Sequence, residues 1–422
     1  MDKELRRELG FWDAVATGIA AMIGAGIFVV SGIGARLAGS AVILAFLIAG
    51  VVALLNALSS AELAAAIPRE GGTYEYARRL ISHRIGFLTG WLFVSSKMLE
   101  SATVALAFGS YAFLFLRIEA RILAMVAILA MTVINLGGIR ASTNITKVMV
   151  LIKVGVLVIF SLMGLSAIKA TNLEPFAPSG PEGVLSSTAI IFFAYTGYAR
   201  IATLGEEVKD PSKTIPRAIL VSLAITAIVY VIVTTVAIGL VGVTQFSETD
   251  SPIATAAAAL GNRGLDTIII VGAGVATLSV LLSDLLSSSR TIFAMARNGD
   301  LPDALSRLKN SNPENSIIAT TAIVLALVLI GGIEQIAALT SLTILLYYAV
   351  TNISALKLPV EKRIYSKAIS IAGLISCIGL TFFMQQEQWI WTLVLLIPGV
   401  IYLLIRKRDT ITDNPEVRTS GT

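Results

Sequence analysis

The chain has 422 residues, 56% of them hydrophobic and 14% charged, with a mean hydropathy of +0.84. Soluble domains carry about 25% charged residues, so the composition excludes an ordinary water-soluble globule. The net charge of +5 does not mark a nucleic-acid binder either, because the basic residues sit in short segments between apolar runs, with no aromatic–basic platform. The single cysteine, Cys377, lies in an apolar run and has no partner for an internal disulfide.

Apolar runs of about 18 residues or more mark candidate membrane helices. Twelve follow along the chain, at 11–37, 41–67, 85–115, 121–138, 145–169, 185–207, 215–242, 265–296, 316–333, 336–355, 368–384 and 388–405. The charged N-terminus runs straight into the first, which at about 27 residues is too long for a signal-peptide core. Span 1 is therefore expected to be retained.

Span 1 carries a glycine break, Met22-Ile23-Gly24-Ala25-Gly26-Ile27-Phe28. Unwound backbone at membrane depth is tolerated only where it lines a cavity or is buried in protein. The second half-helix would present free N–H groups from Ala25, Gly26 and Ile27, and a helix N-terminus attracts anions such as a carboxylate. The freed carbonyls of Ala21, Met22 and Ile23 would offer partial negative charge to an ammonium. The bland alternative is a small-residue packing motif between helices.

Between spans 2 and 3, the segment 68–79 is too polar to cross lipid, and its alternating aromatic and charged residues predict a short amphipathic helix on the cytoplasmic face. In span 3, Lys97 and Glu100 stand at i,i+3 and read either as a structural ion pair or as proton-transfer groups. His83, just ahead of them, reads as a solvated surface residue. Lys153 in span 5 lies roughly 12–14 Å from the start of its helix, deep for snorkelling. It suits a proton-coupling site, with a snorkelled or carboxylate-paired lysine as the alternative.

Span 6 repeats the break about 170 residues on, at Phe193-Ala194-Tyr195-Thr196-Gly197-Tyr198. Here Ala194, Tyr195 and Thr196 can give carbonyls to an ammonium, Gly197 is the unwinding point, and Phe193 is placed as an aromatic lid. Tyr195 and Tyr198 fit packing or interfacial roles equally well. Two breaks in corresponding positions mark a secondary transporter built from inverted repeats. Together they set an anionic and a cationic pole a few ångströms apart, the charge pattern of a zwitterionic α-amino acid.

After span 7, Ser251-Pro252 opens an outer-side helical loop at 251–260. Asp284 in span 8 either faces Lys153 or lines a water path. Spans 1–5 superpose on spans 6–10, giving repeat one at 11–169, repeat two at 185–355 and accessory spans at 368–405 within one transmembrane domain, 1–422. The accessory spans fit either a monomer or a homodimer. The last ten or so residues read as disordered. With an even number of spans and the N-terminus inside, 23 of the 32 Lys and Arg residues fall in cytoplasmic segments, which fixes both termini in the cytoplasm by the positive-inside rule. No metal-ligand cluster, P-loop, Rossmann fingerprint or G-x-S-x-G motif is present. No cofactor or metal is therefore expected, and transport must draw on a gradient.

Four stretches, FWDAVATGIAAMIGAGIF (11–28), AELAAAIPREGGTYEYA (61–77), FFAYTGYARIATLGEEVKDPSKTIPRAI (192–219) and SSRTIFAMARNGDLP (288–302), resemble the amino acid–polyamine–organocation (APC) superfamily, and the resemblance spans essentially the whole chain. It implies an all-α membrane fold of twelve helices with a LeuT-like five-plus-five inverted repeat, working by alternating access in the plasma membrane. It also implies that Ala25, Gly26 and Ile27 bind the substrate carboxylate, and that the carbonyls of Met22, Ile23, Phe193, Ala194 and Thr196 bind the amine. Lys153 matches a helix-5 lysine of proton-coupled members, with Gly24-side carbonyls and Ser279 or Thr277 as neighbours. Glu206 and Glu207, with Lys209 and Arg217, resemble the family's cytoplasmic charged cluster.

Many relatives carry an acid just after the second break, where this chain has Ala199 and then Arg200. The departure points to neutral amino acids rather than arginine or polyamines. The expectation is a proton symporter for amino acids, with an exchanger of the same fold as the nearest alternative. A channel or receptor is disfavoured by the short extramembrane segments. A membrane enzyme is disfavoured because no polar cluster has catalytic spacing.

Overall fold

The computed structural model describes residues 10–67, 71–137, 139–203, 208–309 and 312–405. Among these, helices and connecting turns build the whole molecule, with no β-strand. The helices are α1 (Phe11–Met22), α2 (Ser31–Ala38), α3 (Val42–Ala66), α4 (Thr73–Leu80), α5 (His83–Leu116), α6 (Ala120–Leu136), α7 (Ile139–Leu165) and α8 (Gly180–Ile191). They continue as α9 (Ala199–Thr203), α10 (Pro211–Ser247), α11 (Pro252–Ala258), α12 (Arg263–Arg297), α13 (Glu314–Ile330), α14 (Ile333–Leu356), α15 (Lys367–Thr381) and α16 (Gln386–Ile405).

Among the described residues, eight helical stretches are long and apolar enough to cross a membrane, among them Gly26–Ala66 taken as one run, and four shorter apolar helices accompany them. The side-chain distribution is inverted relative to a soluble protein. Leu151, Ile330, Phe382 and Leu404 are each more than three-quarters exposed, while Asn56, Lys97, Glu100, Lys153 and Asp284 are buried. In water such an apolar exterior would be an aggregation liability. Against lipid tails it costs nothing, and the polar groups turn inward to find partners.

α5 and α12 lie side by side through the middle of the bundle, and α1 packs on α10 and on the Phe192–Tyr198 turn. α10 is interrupted at Gly242 (φ 78°), a left-handed position that favours glycine. The carbonyls freed there are recovered locally, since Asn172 Nδ2 donates to Gly239 O at 2.9 Å and Leu240 O at 3.1 Å.

The amphipathic segment forms the short helix that the sequence leads one to expect, but its aromatic face is not left at a surface. Its helix, α4, buries Thr73, Tyr74, Glu75, Tyr76 and Ala77 against α5 and α14. Its aromatic face is wedged into the bundle, where the expected interfacial helix would have offered it to lipid headgroups. The predicted outer loop helix at 251–260 forms as α11.

Candidate functional site

Both sequence breaks are real departures from α-helix. α1 stops at Met22, and Ile23 is extended (φ −75°, ψ 101°). Gly24 O then accepts from Ile27 N at 3.2 Å and Phe28 N at 3.3 Å, and Gly26–Val30 forms a wide π-helical turn. π-turns of this kind concentrate at functional sites. At the second break, α8 gives way to a tight 3₁₀ run, Phe192–Tyr198, before α9.

The breaks touch each other through their small residues. A Cβ built on Gly26 would lie 2.3 Å from Ala194 Cβ, and one on Gly197 would lie 2.4 Å from the backbone carbon of Ala21. One on Gly24 would meet Val280 of α12 at 2.6 Å. These glycines are therefore required by close backbone approach. Gly197, expected as an unwinding point within the substrate-binding segment, is also a contact between the two broken helices.

Four of the carbonyls expected to face an ammonium, those of Met22, Phe193, Ala194 and Thr196, have a hydroxyl within hydrogen-bond reach. Tyr230 of α10 places its hydroxyl 2.7 Å from Met22 O and 3.1 Å from Ala194 O. Tyr348 of α14 donates to Thr196 O at 3.3 Å, and Thr196 Oγ1 donates to Phe193 O at 2.8 Å. Tyr111 of α5 donates to Phe28 O at 2.6 Å. Of the three N–H groups expected to be free, that of Ile27 is engaged by Gly24 O, which leaves Ala25 and Gly26 as the candidates. Tyr195 is buried and donates to Phe46 O at 3.0 Å. Phe193 is buried at the break, and the ring of Tyr198 lies 5.5 Å from that of Tyr348.

Sequence reasoning missed Tyr230, Tyr348 and Tyr111. A tyrosine in an apolar span has no periodic signature, and the partner carbonyls are 208, 152 and 83 residues away.

Lys153 of α7 is completely buried. Its Nζ donates to Ala20 O at 2.5 Å, Ile23 O at 2.7 Å and Ser279 Oγ of α12 at 2.9 Å. Ser279 Oγ itself donates to Ala276 O, so it can accept from the lysine. Three acceptors around one nitrogen call for the three N–H bonds of an ammonium, since a neutral amine has two. The two carbonyls belong to the last turn of α1, whose acceptors are orphaned where the helix stops. Ile23 O is thus held by Lys153 in this arrangement. The carbonyls expected from the Gly24 side prove to be Ala20 and Ile23. Thr277 stays apart, because its hydroxyl donates to Ala273 O and Gly274 O of its own helix.

Asp284 does not turn to Lys153. Lys97 Nζ donates to Glu100 Oε2 at 2.5 Å and to Asp284 Oδ1 at 3.3 Å, which ties α5 to α12 inside the bundle. Two carboxylates thus share one buried cation. Arg200 of α9 reaches the same stretch of α12, donating to Ser283 O at 3.3 Å and Ser287 Oγ at 2.9 Å.

At the end carrying α4, Tyr74 donates to Asp300 Oδ2 at 2.6 Å, and His83 Nε2 stands 3.2 Å from Asp300 Oδ1. Burial and the adjoining Asp300 carboxylate push the Tyr74 phenol above its ordinary range. His83, expected to be solvated, is half-exposed and partnered, since Arg78 Nε also donates to its Nδ1 at 3.2 Å. At the other end, Arg36 of α2 bridges Glu334 of α14 at 2.7 Å and Ser247 O of α10 at 2.8 Å. Glu206 and Glu207 lie outside the described residues.

The chain matches the amino acid permease family over residues 13–413. It is 37% identical to an uncharacterized transporter of Mycobacterium tuberculosis over 99% of this chain and 96% of the relative. It is 29% identical to a branched-chain amino acid permease of Bacillus subtilis over 97% and 95% of the two chains. A methylthioribose transporter of Bacillus subtilis is 33% identical over 73% of this chain and 71% of its own length.

Proposed function

The chain belongs to the amino acid permease family and is an integral membrane transporter, not an enzyme; from that premise we propose that it imports neutral amino acids in symport with protons. The observation that carries the reading is the meeting of the two helix breaks, Gly26 against Ala194 and Gly197 against Ala21. A ligand admitted between them meets the N-terminus of one half-helix and the freed carbonyls of the other, so it needs both a carboxylate and an ammonium. Val280 and the Ala194 methyl stand against the breaks, an apolar wall suited to an uncharged side chain. Ala199, followed by an arginine turned to α12, brings no acid for a cationic side chain. The branched-chain permease among the relatives makes leucine, isoleucine and valine the first substrates to try.

In this reading the twelve apolar segments form a LeuT-like five-plus-five inverted repeat, 11–169 and 185–355, with 368–405 accessory. Both termini are cytoplasmic and the protein sits in the plasma membrane. Ala25 and Gly26 hold the carboxylate, while Met22, Ala194 and Thr196 carbonyls hold the ammonium once their tyrosine donors withdraw. Lys153 carries the coupling proton. When charged it ties Ala20 O and Ile23 O to Ser279, and on deprotonation one of three donors is lost and the broken helix is freed to move. Protonation and opening are thereby linked in one two-state element.

The test is uptake by purified protein in liposomes, with and without an inward proton gradient, against a competition panel. Leucine, valine and alanine should compete, whereas putrescine, which has no carboxylate, should not. Competition by putrescine with none by the neutral amino acids overturns the specificity. Uptake indifferent to the gradient favours the exchanger of the same fold.

A further inference from the structure

Tyr230 is completely buried on α10, and its ring is held between Phe46 and Tyr195, each with centroids 5.2 Å away. Its hydroxyl lies 2.7 Å from Met22 O, in the first break, and 3.1 Å from Ala194 O, in the second. A Cβ on Gly26 would lie 3.6 Å from that same oxygen. The hydroxyl therefore sits where the two breaks converge. The neighbouring tyrosines each serve a single carbonyl, Tyr111 that of Phe28, Tyr195 that of Phe46 and Tyr348 that of Thr196. Tyr230 is shared between two carbonyls on different broken helices.

A phenol has one proton to donate. The Tyr230 hydroxyl can therefore serve Met22 O and Ala194 O only one at a time. A substrate ammonium brings three donors and can satisfy both at once. The contact of Gly26 with Ala194 leaves no room even for a methyl group, so no amino acid fits between these two residues in the arrangement seen here.

Resting on the amino acid reading above, we propose that Tyr230 is a placeholder for the substrate ammonium. Its hydroxyl and the ammonium compete for the carbonyls of Met22 and Ala194, and when seated it bridges the breaks on the leg of the cycle traversed without substrate. Binding then trades one donor for three, which ties ammonium recognition to the parting of the two breaks. Substrates whose amine is replaced by a group without donors would fail to unseat it.

The experiment compares wild type with Tyr230→Phe in liposomes, using L-leucine. Net uptake into leucine-free vesicles needs the substrate-free leg, whereas exchange against internal leucine does not. The ratio of net uptake to exchange should fall about tenfold in Tyr230→Phe, a split that a purely structural residue would not produce. Replacing Tyr230 with 3,5-difluorotyrosine keeps the packing and strengthens the donor, so the half-saturating leucine concentration in exchange should rise several-fold. This second arm stands even if Tyr230→Phe folds poorly. An unchanged ratio in Tyr230→Phe, or an unchanged half-saturating concentration in the fluorinated protein, overturns the placeholder alone. Wild-type vesicles that take up no amino acid overturn it together with the reading it rests on.

Discussion

Replacing Lys153 with methionine keeps the length and packing of the side chain and removes all three of its donors. Ala20 O and Ile23 O, now 2.5 and 2.7 Å from Nζ, would be left unpaired in a fully buried position. Each orphaned carbonyl costs about 1–3 kcal/mol, so the arrangement seen here should lose about 2–6 kcal/mol relative to arrangements in which helix α1 has moved away. At about 1.4 kcal/mol per decade, that is a population shift of roughly 30-fold at the least. Proton loss from the native lysine is a smaller version of the same perturbation. One of three charged hydrogen bonds, each worth about 1.5–3 kcal/mol, disappears, for a shift of about 10- to 150-fold. A step of that size suffices to couple a proton to a conformational change. The assay is leucine accumulation in liposomes across an inward-acid pH step, with an ionophore control that collapses the gradient. Wild type should concentrate leucine, while Lys153→Met should show at most counterflow with no response to the step. A Lys153→Met protein that still concentrates leucine in response to the gradient refutes the coupling role, and Glu100 or Asp284 becomes the next candidate.

Gly26→Ala puts a methyl 2.3 Å from Ala194 Cβ, against an ordinary carbon contact of about 3.5–4.0 Å, so the breaks must part by more than about an ångström. Uptake should fall at least tenfold, and Gly26→Leu should abolish it while the protein still elutes as a folded species; near-normal uptake removes the site from this break. Lys97→Met leaves Glu100 and Asp284 buried together without their cation, a loss of about 3–5 kcal/mol, and should markedly lower the melting temperature in detergent. Asp284→Asn should be much milder, because Lys97 keeps Glu100 at 2.5 Å; equal damage from the two would mean that the shared-cation description is wrong.

Much of the fold was legible because membrane helices advertise themselves by length and hydropathy, and the glycine runs at 24–26 and near 197 announced where two of them stop. Lys153, Lys97 and Glu100 were legible for a related reason, since ionisable groups are expensive in lipid and stand out against an apolar background. What the sequence withheld was who satisfies whom. Asp284 had no partner at short range, and the lysine it joins is 187 residues earlier in the chain. The 68–79 segment read as interfacial because its composition is amphipathic, but composition does not say whether an aromatic face meets headgroups or a neighbouring helix, and Tyr74 found Asp300. The tyrosines that serve the broken backbone were hidden for the same reason.

The hidden contacts at the breaks share one physical cause. A break in a membrane helix creates carbonyl acceptors that lipid cannot satisfy, and the sequence shows the break but not the donors that come to it. Ala20 and Ile23 are served by an ammonium, Met22 and Ala194 by a shared phenol, Thr196 and Phe28 by one phenol each. Those donors are of two kinds. In the reading proposed above, Lys153 loses a proton and the Tyr230 hydroxyl is displaced by a better donor. In this reading, a proton gradient acts on the first kind and an amino acid on the second, and both act on the same end of α1. Coupling between substrate and proton then needs no long pathway, because Met22, the last residue of α1, and Ile23, the first beyond it, are adjacent.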